Sequence, residues 1–122
     1  MGNVKIRFAT KKDVYDVYGH YPSQTMRAYA AELDGKTVAV SGLYYFPDQI
    51  VAFSKILPGY EKYKTGIAKG ALKVLDMLER VNLPVFAIAD KDIPGSGDFL
   101  LRCGFDYVTT NSQGEVYLWQ KH

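Results

Sequence analysis

The chain has a single cysteine, Cys103, among its 122 residues, which excludes an intramolecular disulfide and suits a reducing compartment such as the cytosol. Histidine is almost as scarce. Two histidines and one cysteine show neither the ligand spacing of a metal site nor the nucleophile–histidine pairing of a hydrolase. No apolar run approaches the roughly 20 residues needed to cross a bilayer. Residues 1–10 alternate apolar and polar side chains where a signal peptide would be continuously apolar. A soluble, unprocessed, cytoplasmic protein with no membrane partner is the expectation. The net charge of +2 is too small to argue for nucleic acid. Repeats, low-complexity tracts and linker-like segments are missing, so residues 1–122 read as one domain.

What is present is an ordinary hydrophobic content of 48%, enough for a core. Lys55, Lys62, Lys64, Lys69 and Lys73 share one stretch with a single acid, Glu61. Such a stretch is either a solvated helix face or the neighbourhood of an anionic ligand.

Period-2 alternation over residues 4–10 predicts a strand, after which Thr10 caps a short helix over residues 11–18. Residues 20–25 read as loop. Residues 27–33 and 37–46, joined through Asp34-Gly35, carry a strong hairpin signal, because both turn positions want positive φ. Residues 49–57 form another strand. Ile67, Ala71, Val74, Leu75 and Leu78 fall on one face of a helix over residues 66–80. Residues 84–89 are continuously apolar, as in a strand covered on both faces. A helix ends before Gly104, and strands at 107–110 and 115–120 close the chain. The passage from strand 49–57 through a helix to strand 84–89 requires a parallel pair with a right-handed crossover. The fold class is α/β (α+β): a mixed, mostly antiparallel sheet of six or seven strands with helices on both faces.

Residues 58–65 join a strand to a helix, where unpaired amides and the positive helix terminus favour phosphate groups. Gly66 leaves the backbone open to a ligand, Ala68 is too small to obstruct it, and Lys62, Lys64 and Lys69 add positive charge.

Over residues 4–120 the chain resembles the GCN5-related N-acetyltransferase (GNAT) family, and in its short length it is similar to bacteriophage-encoded acetyltransferase-like proteins, some of them virion-associated. Ile56-Leu57-Pro58 matches the family's strand end. Tyr63-Lys64-Thr65-Gly66-Ile67-Ala68 matches its Gln/Arg-x-x-Gly-x-Gly/Ala loop, with Tyr63 where Gln or Arg is usual and with about two extra residues. The run from Phe99 to Gly104-Phe105 matches the helix ending in Gly-Phe. The resemblance implies the acyl-CoA N-acyltransferase fold and acetyl-CoA as cosubstrate. It places the pyrophosphate on residues 64–69 (Lys64, Thr65, Gly66, Ile67, Ala68, Lys69) with Tyr63 adjacent. The pantetheine would run past Ile56 and Leu57, between strands that splay at their carboxyl ends. A backbone amide near Ile56 or Leu57 would donate to the oxyanion, with Leu57 the first choice. The acceptor would be an unidentified amine, small or protein-borne, and a homodimer is compatible.

Asp90 follows the apolar run 84–89, at the strand end where α/β folds bind ligands, and is a candidate base; a solvated turn aspartate is the plainer reading. Glu32 is expected to face solvent. His20 lies in the loop that covers the acceptor in the family. Leu100 stands where many relatives hold the tyrosine that protonates the departing thiolate, leaving Ser96, Cys103 or water. The alternative to an enzyme is therefore a catalytically inactive acetyltransferase-like binding or virion-associated protein.

Overall fold

The computed structural model describes residues 3–90 and 95–119, except the side chain of Asp90. The elements are β1 (Lys5–Phe8), α1 (Lys11–Tyr18), β2 (Thr25–Leu33), β3 (Lys36–Tyr45), β4 (Ile50–Ile56), a 3₁₀ turn (Glu61–Tyr63), α2 (Lys64–Leu78), β5 (Val85–Asp90), α3 (Ser96–Arg102), β6 (Phe105–Asn111) and β7 (Gly114–Trp119). The strands form one sheet in the order β1-β2-β3-β4-β5-β7-β6. Every neighbouring pair is antiparallel except β4 and β5. This is the mixed α/β fold expected from the alternation of hairpins and helices.

Local chemistry explains the front half. Thr10 and Asp13 form a reciprocal capping box that starts α1. Asp34 and Gly35 take φ of 52° and 83° between Leu33 and its partner Lys36, the turn their sequence favours. One face of the sheet receives α1, which packs on β3 and β4. The other receives α2 over β1, β2 and β3, and α3 over β5 and β6. The main core lies on this second face and includes Leu43, Ile50, Val74, Leu78, Val85 and Phe105. A smaller cluster of Val17, Ala30 and Val40 lies under α1.

Strand β5 departs from expectation. Val85, Ala87 and Ala89 are buried, but Ile88 on the opposite face is 38% exposed. The strand is covered on one face only, because α1 ends over β4 and no other described helix reaches β5 on that side.

A charged clasp joins the front elements. The Arg7 guanidinium donates to both carboxylate oxygens of Asp13, at 2.8 and 2.9 Å, and its Nε donates to Glu32 Oε1 at 3.0 Å. Asp13 also accepts from the Thr37 hydroxyl at 2.6 Å and from the Thr10 amide at 2.7 Å. Glu32 is thus an ion-pair partner on the α1 face, not a solvated strand residue; a bulge between Ala31 and Glu32 accompanies this arrangement. Asp13 is buried while Arg7 keeps about a third of its side chain exposed, at 32%.

The hydrogen bonds from Arg7 hold the Asp13 carboxyl well below the usual carboxylate range, against the opposing effect of burial. A depressed native pKa contributes stability above the unfolded value near 3.9, and that contribution is lost as pH falls toward the native one. We expect wild-type stability to decline below about pH 4 and Asp13→Asn to flatten that decline. At neutral pH the substitution should cost about 2–4 kcal/mol, since it leaves Arg7 with Glu32 alone. Urea unfolding at several pH values checks both; a wild-type pH profile identical to that of Asp13→Asn would refute the assignment.

Candidate functional site

Strand β4 is paired with β3 along its whole length, from Tyr45 opposite Ile50 to Ala39 opposite Ile56. With β5 it shares only Ile50–Val85, Val51–Phe86 and Ala52–Ala87. Residues 53–56 and 88–90 continue without bridges to one another, so the two parallel strands part at their carboxyl ends. The expected splay is present.

The parting leaves a row of backbone groups facing the gap. The Leu57 amide donates to the Val38 carbonyl at 2.8 Å, on the β3 side, whereas the Ile50 amide donates to Pro84 at 2.9 Å, on the β5 side. Amides alternate along a strand, so those of Ser54 and Ile56 point into the cleft. Leu57 is therefore committed to β3 and is not an oxyanion donor; the neighbouring Ile56 amide is the one on the open side.

The strand-to-helix junction is more ordered than a loop. Gly59 donates to Glu61 Oε2 at 3.0 Å, and the 3₁₀ turn leads directly into α2, which begins at Lys64. Tyr63 is the N-cap and offers no side-chain hydrogen bond. Lys64 donates to the Glu61 carbonyl. From Ile67 onward, helical geometry commits each amide to the carbonyl four residues back. Of the expected 64–69 cradle, Thr65 and Gly66 thus supply the first-turn amides. Ile67 is buried, at 3% exposure, and Ala68 is half-buried.

Gly66 also has a packing role. A Cβ there would lie 3.1 Å from the Val4 Cβ, so the missing side chain lets α2 approach the chain just before β1. The lysines also divide. Lys62, Lys64 and Lys69 are exposed around the helix start, with Lys62 Nζ 5.3 Å from the centre of the half-buried Tyr63 ring. Lys73 sits over Tyr29, and Lys55 over Tyr18 on the α1 face.

On the α1 face an aromatic floor adjoins the cleft. Tyr44 and Phe53 are stacked, with ring centres 4.2 Å apart, and Tyr18 meets Phe53 edge-on at 6.1 Å. The His20 ring lies 5.7 Å from Tyr18, with Nδ1 3.2 Å from the Tyr21 carbonyl oxygen. A proton on Nδ1, donated to that carbonyl, leaves Nε2 as the basic nitrogen.

On the α3 side, the backbone of Asp90 ends β5 opposite Gly114, while its side chain lies outside the described residues. Ser96 is the first residue of α3 and half-buried. The expected features at 91–94 also fall outside the described residues. Leu100 packs against the main core, as does Cys103, whose thiol is pushed up by burial. Tyr117, which is not among the candidates named above, belongs to this side. Its hydroxyl, buried beneath Gly97 of α3, donates to Glu115 Oε1 at 3.1 Å, and burial raises its pKa. Alternation from Trp119 would have put Tyr117 on the helix-covered face beside Ala87.

Among the described residues no group of histidine, cysteine, aspartate and glutamate could hold a metal ion, and no helix is long and apolar enough to cross a membrane.

No protein-family model matches the sequence, and no curated protein matches it. Solved structures do match the fold. An acetyltransferase from Streptococcus agalactiae superposes with a TM-score of 0.69 at 11% identity, over 98% of this chain and 99% of that one. The PaiA N-acetyltransferase from Thermoplasma acidophilum, solved in complex with coenzyme A, gives 0.67 at 11% identity, over 98% and 99%. A GNAT-family acetyltransferase from Staphylococcus aureus gives 0.65 at 11% identity, over 95% and 98%. At such identities the likeness establishes a shared acyl-CoA N-acyltransferase fold.

Proposed function

We propose that the protein is an acetyl-CoA-dependent N-acetyltransferase. The observation that carries this reading is the unpaired edge of β4, facing a gap between parallel strands and leading into an uncapped, lysine-flanked helix terminus. Fixed backbone donors at such an edge suit an extended amide-bearing chain and a thioester carbonyl, and the helix start suits a pyrophosphate.

In this reading the Thr65 and Gly66 amides, with Lys62, Lys64 and Lys69, hold the pyrophosphate of acetyl-CoA. The backbone of Ser54 and Ile56 holds its pantetheine arm, and the Ile56 amide polarises the thioester carbonyl. Tyr63, Ile67 and Ala68 support the junction through packing. An amine entering from the α1 face attacks the carbonyl carbon; the C–N bond forms and the C–S bond breaks. The amine's proton passes to a base, His20 Nε2 or Asp90, and the thiolate takes a proton from Ser96, Tyr117 or water. The acceptor works in a cytosolic setting, consistent with the lone thiol.

Leu100 favours a second reading, in which the same frame binds coenzyme A and a partner without transferring the acetyl group, as a virion-associated relative would. Its side chain packs against the main core, at the position where the family resemblance expects a proton donor.

Calorimetric titration with acetyl-CoA tests the binding claim, and Thr65→Glu isolates it. Glutamate in a first turn stabilises a helix by about 0.3–1 kcal/mol, so this exposed substitution should leave melting unchanged or raised. It should nevertheless weaken acetyl-CoA binding about tenfold or more through repulsion of the pyrophosphate. Unchanged affinity would remove the cofactor assignment.

Turnover on an amine panel separates the two readings. General acid catalysis contributes about 10²–10⁴-fold, and Leu100→Tyr should raise kcat about tenfold, about 1.4 kcal/mol of barrier, if the frame lacks only its acid. Binding without turnover in both proteins would establish the non-catalytic reading. A fast wild type slowed by Leu100→Tyr would mean that another group, Tyr117 first among them, already supplies the proton.

A further inference from the structure

We infer that the acceptor is a small primary amine carrying an aromatic ring and a carboxylate, seated on the α1 face beside the parted strands. This rests on the acetyltransferase reading and names the substrate class of the same site.

The register of the sheet sets the floor. Gly42 opposes Phe53 and Val40 opposes Lys55, so Phe53 and Lys55 project toward α1 from the unbridged end of β4. Tyr44 lies flat on Phe53, with an interplanar angle of 20°. Beside Phe53, Gly42 presents no side chain, and a Cβ there would collide with the Ala28 Cβ. The surface next to the ring therefore stays low. Tyr18 stands at one side, with its ring at 64° to Phe53, and Ile88 of β5 lies across the gap. Tyr18, Tyr44 and Phe53 are each half-buried, so one part packs the fold and another part remains open to a ligand. A flat, apolar ring is the complementary shape, by offset stacking or edge contact.

Charge selects further. Strands β3 and β4 contain no acidic residue, and neither does the segment 19–24. On α1, Asp13 is held by Arg7 and Asp16 by Lys12. A polyamine or a lysine-rich peptide would find no free carboxylate on these elements to hold its second cation. Lys55, by contrast, has its Nζ 5.1 Å from the Tyr18 ring centre and makes no ion pair among the described residues. It is placed to meet an anionic group at the rim of the aromatic floor, where partial desolvation strengthens the pairing.

The test is calorimetry on the protein saturated with coenzyme A, titrated separately with L-phenylalanine, 2-phenylethylamine and spermidine. L-Phenylalanine should bind best and spermidine worst. Lys55→Met, which keeps the stem, should reduce the preference for L-phenylalanine over 2-phenylethylamine about fivefold. Phe53→Ala, or the milder Phe53→Leu should the first misfold, should weaken both aromatic ligands about tenfold while leaving coenzyme A affinity intact. Stronger binding of spermidine, absence of aromatic binding, or indifference to both substitutions would overturn the inference while coenzyme A binding upheld the acetyltransferase frame. Failure of the wild type to bind coenzyme A at all would remove both.

Discussion

Strand β4 cannot follow two neighbours at once, and the site depends on that conflict. Its seven residues are committed to β3 by an uninterrupted antiparallel ladder, whereas the parallel ladder with β5 lasts three residue pairs. Sheet twist makes divergence from β5 the cheaper outcome once the β3 pairing is satisfied. The backbone edge left behind is costly if buried dry, since each unpaired amide forfeits a hydrogen bond. A ligand with its own amides removes that cost, and a fixed edge needs no rearrangement to receive it.

The other features hold this edge in place. The Arg7–Asp13 clasp fixes α1 against β1, β2 and β3, which sets Tyr18 over Phe53. On the opposite face the missing side chain at Gly66 brings α2 close to Val4, which fixes the start of the helix. Position at the cleft is thus determined by packing on both sides of the sheet. The junction between them has internal bonding of its own, through Glu61 and the 3₁₀ turn.

The elements whose signals are local were legible in the sequence. The Thr10 cap and its helix coincide with α1 to the residue, Asp34-Gly35 turns the hairpin, and the helical period of Ile67, Val74 and Leu78 marks the buried face of α2. The need for a crossover gave the parallel pair. What sequence could not supply were tertiary facts. Lys64 and Thr65 carry no start signal, so the sequence pattern begins the helix at Gly66, two residues late. That this glycine also packs against Val4 depends on a residue 62 positions away, near the beginning of the chain. The commitment of the Leu57 amide depends on strand register, and so does the separation of Lys55 from the other lysines. The ion pair of Glu32 with Arg7 accompanies a bulge that carries no local sequence signal.

The narrow ladder between β4 and β5 also has a kinetic consequence. The β2–β3–β4 meander and the β6–β7 hairpin are stitched by local contacts, which close quickly because little chain entropy is lost. The β4–β5 pairing must instead wait for the whole of α2 to be gathered between its strands, and then gains only three bridges. Each half can therefore assemble before the two meet. With the fewest bridges of any neighbouring strand pair, this seam is where native-state opening is expected first, and such opening would undo the cleft.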